Sequence, residues 1–87
     1  MRKVKDKNET IHEVHAWYML SNGWEFYQLD KTEDDGVAFG YMDGCPYPEL
    51  GYSDTNQFTC LAVGHGDELH SIDPPIGWAW NDEVMYV

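Results

Sequence analysis

Ser21-Asn22-Gly23 separates two aromatic-rich segments, and Asn-Gly between period-two apolar runs restricts a fold more than any other short signal in this chain. Before it, from Ile11 onward, Val14, Ala16, Tyr18 and Leu20 fall on one parity and His15, Trp17 and Met19 on the other. That is the alternation of a strand, not the spacing of a helix. After it, Trp24 and Phe26 share one face of the segment ending at Leu29, and Tyr27 and Leu29 share the other. A strand apolar on both faces belongs in the middle of a sheet. The turn is expected to be type I′, since Asn and Gly both tolerate positive φ.

Further along, Asp30 to Gly36 reads as a polar loop with Glu33-Asp34-Asp35-Gly36 as its turn, and Val37 to Met42 as a third strand pairing back on the second. Two prolines, Pro46 and Pro48, mark the next loop, because proline donates no ladder hydrogen bond. A short fourth strand over Leu50 to Ser53 follows. Asp54 with Gln57 three residues later has the form of a capping box ahead of Phe58, Leu61 and Ala62, which predicts one short helix over about 54–62. Gly64-His65-Gly66 ends it. Pro74-Pro75 precedes a last strand in Trp78-Ala79-Trp80 and Val84 to Val87. The expected fold class is α+β: a small antiparallel sheet, a meander of three to five strands, with that single helix.

Charge divides the chain into two parts. The 87 residues hold 16 Asp and Glu against 5 Lys and Arg, a formal net charge of -11. Arg2, Lys3, Lys5 and Lys7 against Asp6 make residues 1–7 +3, while residues 8–87 carry only Lys31 against 15 carboxylates. Residues 1–8 are therefore expected to be a mobile basic segment and residues 9–87 a single acidic globular domain. A domain of this size buries only about 60 to 65% of its unfolded surface, yet 43% hydrophobic and 15% aromatic residues argue against disorder. Direct binding of nucleic acid is excluded by the lack of clustered cations in the body. No apolar run reaches the roughly 18 to 20 residues of a membrane span, and the basic head leads into Asn8-Glu9-Thr10. The expectation is a cytoplasmic protein without signal peptide or membrane contact. Cys45 and Cys60 are too few for a disulfide framework and read as free thiols, Cys60 packed in the core, with one Cys45–Cys60 bridge as the alternative.

Glu25-Phe26-Tyr27-Gln28-Leu29-Asp30, Glu33-Asp34-Asp35-Gly36, Ala38-Phe39-Gly40 and Pro48-Glu49-Leu50-Gly51-Tyr52-Ser53 together form a pattern over residues 17–62. It resembles the DUF2958 family of small proteins. Asp67-Glu68-Leu69-His70 is similar to that family's closing strand, whereas the Trp-rich tail after Cys60 departs from it. The resemblance implies a setting in phages, plasmids and other mobile elements and supplies no activity. Phe39, Gly40, Pro48, Glu49, Leu50, Gly51 and Tyr52 are the motif residues, expected to act structurally, with Glu49 accepting hydrogen bonds from backbone amides of the neighbouring loop.

No catalytic motif stands out. His12 and His15 point to opposite faces if extended and cannot chelate one ion, the turn at Glu33, Asp34 and Asp35 lacks EF-hand spacing, and neither cysteine sits in a nucleophile elbow. The chain reads as a non-enzyme with no cofactor and no metal. A field of this sign attracts basic partners and speeds their encounter. The expected function is that of a small acidic mobile-element accessory protein that binds a basic or nucleic-acid-binding host protein, one form of which would be a DNA-mimic-like inhibitor of restriction or CRISPR defence. Candidate contact residues are Glu33, Asp34, Asp35, Asp67, Glu68, Asp82, Glu83 and the Trp78 and Trp80 pair, which reads first as core packing and otherwise as an acid-rimmed aromatic patch. The alternatives are an enzyme, metal site or small-molecule site built from His65, His70 and Glu49, and an acidic homodimer joined through an edge strand or the Trp78 and Trp80 segment.

Overall fold

The computed structural model describes residues 2–30, 35–44 and 48–81. The Asn22-Gly23 signal does join two paired strands, β3 (Ala16–Leu20) and β4 (Glu25–Gln28). The turn type differs from the expected one. Only Gly23 has positive φ, at 90°, Gly23 N–H donates to the Leu20 carbonyl, and Leu20 N–H donates to the Trp24 carbonyl. This is the three-residue loop in which an ordinary turn is followed by one left-handed residue. Asn22 stays at negative φ because its side-chain oxygen accepts the Trp24 N–H at 2.9 Å instead.

β4 is the middle strand of five. β5 (Val37–Asp43) pairs with it, β6 (Glu49–Asp54) pairs with β5, and β7 (Cys60–His65) pairs with the far side of β3, giving the order β6-β5-β4-β3-β7. All four pairings are antiparallel. The two-faced apolar pattern explains the position: Phe26 and Tyr27, adjacent in β4, are both buried, on opposite faces. Burying a ring of this size contributes about 2 to 3 kcal/mol.

The predicted helix over 54–62 is corrected. Asp54 does cap, accepting the Asn56 N–H at 3.0 Å, but only a single 3₁₀ turn, Thr55–Gln57, follows. Phe58 is extended and packs edge-on against Tyr18 and Phe26, with ring centres 5.5 and 5.2 Å apart. Tertiary burial of that ring outweighs the local capping signal, and Cys60–His65 then completes the ladder on β3. No α-helix occurs among the described residues, so of the α+β expectation the small antiparallel sheet with its meander is present and the helix is not, and the fold is sheet-rich. Cys60 is an exposed free thiol, not a core residue, and the alternative bridge involves Cys45, outside the described residues.

The first strand expected from sequence is two. His15 N–H and its neighbour Ala16 both face Gln28, which accepts the His15 N–H at 2.8 Å, and this bulge lets the chain leave one sheet for another. Ile11–Val14 (β2) belongs to a second sheet with β1 (Arg2–Lys5) at its centre and β8 (Ala79–Trp80) on the other side. The basic head, expected to be mobile, is thus a paired strand whose Val4 is fully buried. Between the sheets lies the core of Val4, Val14, Tyr27, Tyr41, Leu69 and Trp78. Val84 to Val87, the rest of the expected last strand, lie outside the described residues.

Candidate functional site

β6 carries the most distinctive string of the sequence, and it forms an outer edge of the large sheet. Its register on β5 is unbroken over six residues, from Val37 with Asp54 to Met42 with Glu49. Phe39 N–H and C=O face β4, since the Phe39 carbonyl accepts from Leu29. By the alternation of an antiparallel ladder, Glu49, Gly51 and Ser53 bond to β5, and the N–H and C=O of Leu50 and Tyr52 point outward. Leu50 is 44% and Tyr52 73% exposed. Phe39 meets the Tyr52 ring edge-on at 5.3 Å.

Beside this edge opens a cleft of about 280 Å³ between the two sheets. Tyr41, Leu50, Pro48 and Trp78 supply its apolar surface, and Asp6, Lys7, Asn8 and Glu49 its polar groups. The hairpin loop between β1 and β2 forms one wall. Asp6 fixes that loop: one carboxylate oxygen accepts the N–H groups of Asn8 and Thr10 at 2.8 and 2.9 Å, and the other meets His12 Nε2 at 2.8 Å. The His12 hydrogen bond is the leading cause holding Asp6 below the ordinary carboxylate value. Trp78 meets two rings, His12 stacked at 5.4 Å and Tyr41 tilted at 4.4 Å between centroids. Burial, with the Asp43 charge second, raises the Tyr41 pKa, so its phenol stays neutral at neutral pH.

The residues expected to make contacts are dispersed. Asp35 is exposed, its carboxylate accepting the Val37 N–H at 3.0 Å. Asp67 and Glu68 lie in a second 3₁₀ turn, Gly66–Ser71, where Glu68 accepts the His65 N–H at 3.2 Å. Glu33, Asp34, Asp82 and Glu83 fall outside the described residues. Of the two readings of the Trp pair the core one holds and the exposed patch is corrected: Trp78 is core, and Trp80 is half-buried with its indole N–H donating to the Ile72 carbonyl at 2.8 Å and the Arg2 guanidinium 4.0 Å over its ring. Their apolar area is spent on packing the two sheets together. Glu49, expected to accept backbone amides, has no such partner among the described residues and instead lines the cleft.

The site imagined from His65, His70 and Glu49 is not assembled. Glu49 is on β6 and His65 on β7, opposite edges of the sheet, roughly 19 Å apart along it at four strand spacings. Among the described residues no group of three or more His, Cys, Asp and Glu is placed to hold a metal ion. No helix among them is long and apolar enough to cross a membrane. The cleft lies outside the sequence expectation, which makes Asp6, Lys7 and Asn8 part of a mobile head. The signal was there, in the strand-like Arg2 to Lys5 and Ile11 to Val14 on either side of Asp6-Lys7-Asn8-Glu9.

No family model, no curated protein and no solved structure matches this chain.

Proposed function

We propose that this chain is an acidic binding protein whose partner is a basic, nucleic-acid-handling host protein, in the mobile-element setting that the DUF2958-like motif implies. One observation carries the reading. The five strands of the large sheet contain no Lys or Arg, whereas Glu25, Asp43, Glu49 and Asp54 stand on them. Four of the five cations of the chain, Arg2, Lys3, Lys5 and Lys7, are gathered on β1 and its hairpin. The charge is thus sorted between the sheets, and the large sheet presents a field of one sign to an approaching protein.

Imitation of a DNA backbone calls for carboxylates in regular rows. The described carboxylates sit in hairpin loops, in the Gly66–Ser71 turn and the segment after it, at one end of the large sheet and on edge strands of both sheets, so the reading rests on sorted charge and not on a duplex-like spacing. A defence inhibitor that works by occupying a basic surface fits this reading.

The test is capture from host extract on immobilised protein at low and at high salt. A basic nucleic-acid-binding protein retained at low salt and released at high salt is the expected result, because the encounter is electrostatic. Failure to retain any such protein overturns the reading.

A further inference from the structure

We propose that β6 is a docking edge, on which an extended basic segment of the partner adds as a sixth strand of the large sheet and places one side chain in the adjoining cleft. This rests on the acidic-binding reading above and names where and how the partner is held.

The two edges of the sheet are not equivalent. β7 shifts register between Met19 and Leu20 of its neighbour, so its ladder is bulged near Cys60, and its outward His65 N–H is already bonded to Glu68. Bulges and occupied donors blunt an edge. β6 has neither feature: its register is regular, and the outward N–H and C=O groups of Leu50 and Tyr52 have no partner among the described residues. An added strand would satisfy them.

Charge selects the occupant. Glu49 and Asp54 stand at the two ends of β6, Asp43 stands on the neighbouring strand, and no Lys or Arg lies on any of the five strands. A basic strand meets opposite charge along this edge, and an acidic one, including a second copy of this edge, meets like charge. Side chains of an added strand alternate in face. One lying beside Leu50 therefore reaches the cleft, where Trp78 and Tyr41 offer aromatic surface and Glu49 and Asp6 negative charge.

The probe is a blocked heptapeptide, Lys-Val-Lys-Val-Lys-Val-Lys, with the Glu-Val counterpart as control, read by amide hydrogen exchange on the intact chain. The Leu50 and Tyr52 amides should slow at least about 10-fold with the basic peptide and not with the acidic one. Tyr52→Pro removes an outward donor that β5 does not use and should weaken binding at least about 10-fold. Tyr52→Lys, which keeps that donor and adds repulsion, should weaken it in the same direction. Val63→Pro, on the opposite edge, should leave binding unchanged. Lys7→Ala should tighten it, since a cation leaves the cleft wall. Binding without protection at Leu50 and Tyr52, or equal loss in the Val63 variant, overturns the docking edge while leaving the acidic-binding reading standing. Absence of binding also overturns the edge, and the capture experiment decides the broader reading separately.

Discussion

The imidazole Nε2 of His12 lies 2.8 Å from Oδ2 of Asp6, six residues earlier in the β1–β2 hairpin. Through this contact the turn of the hairpin is tied to Trp78, on which His12 is stacked. One carboxylate thus holds a loop, a strand and an aromatic core ring in one arrangement, and that arrangement forms a wall of the cleft.

Asp6 is held below its ordinary value of 3.8 first by the His12 hydrogen bond and then by the Thr10 and Asn8 amides, against the opposing effect of burial. The folded state therefore loses the Asp6 proton more readily than the unfolded chain. The stabilisation is complete above the ordinary carboxylate range and is lost as pH falls from about 4 through the folded-state pKa. Asp6→Asn should lower the urea midpoint at pH 7 and cost less at about pH 3, below the ordinary value of 3.8, where the unfolded chain has largely taken up this proton and part of the stabilisation is gone. An equal loss at both pH values would remove this role from Asp6.

Glu9 has φ of 65°, the sole described residue other than glycine with positive φ. Its loop repeats the Gly23 loop: Glu9 N–H donates to the Asp6 carbonyl as Gly23 N–H does to Leu20, and Asp6 N–H to the Thr10 carbonyl as Leu20 N–H does to Trp24. Gly23 occupies the left-handed position without steric cost and Glu9 does not. Glu9→Gly should stabilise the chain by about 0.5 to 1 kcal/mol, a rise of roughly 2 to 8 °C in Tm for a domain of this size. Glu9→Gln removes the charge and keeps the strain, so it should gain less. Equal gains in the two variants would assign the effect to charge.

A Cβ on Gly40 would lie 2.5 Å from Cζ of Phe26 and would also strike the Tyr27 carbonyl, whereas one on its register partner Gly51 would meet nothing within 4 Å. Gly40 is buried beneath a packed ring, and overfilling such a site costs about 1 to 3 kcal/mol or more. Gly40→Ala should therefore destabilise by about 3 kcal/mol, and Gly51→Ala by less than about 0.5 kcal/mol. Comparable losses would show that Gly40 is kept for some reason other than the Phe26 contact.

The strands around Asn22-Gly23 were legible because alternation and turn chemistry are local, and the two-faced β4 pattern placed it centrally for the same reason. The helix expected over 54–62 does not form, although the local signal at Asp54 and Gln57 is real, because Phe58 has Tyr18 and Phe26 to pack against, contacts some 30 to 40 residues distant. The split of residues 11–20 between two sheets depends on a bulge at His15, which no alternation reveals. Edge positions were likewise hidden: Leu50 and Tyr52 are ordinary strand residues in sequence, and only pairing shows which backbone groups are left outward.

The Tyr27 hydroxyl donates to the Asp73 carbonyl at 2.9 Å from a buried ring. Burial is the first cause raising its pKa far above the ordinary 10.0, the charges of Glu25, Asp43 and Asp73 add to it, and a Trp17 hydrogen bond opposes it. The folded state thus keeps a proton that the unfolded chain gives up. This contribution is fully present below the unfolded value and is lost as pH rises through the folded one, so stability should fall above about pH 10. Tyr18 and Tyr41 are shifted in the same direction, each mainly by burial. Tyr27→Phe keeps the ring, leaves the Asp73 carbonyl without its donor and should cost about 1 to 2 kcal/mol at pH 7. At about pH 11 its urea midpoint should fall less from the neutral value than that of the wild type, with Tyr18 and Tyr41 supplying the remaining dependence. Parallel falls in the two proteins would mean that Tyr27 is not the group that couples alkaline pH to unfolding.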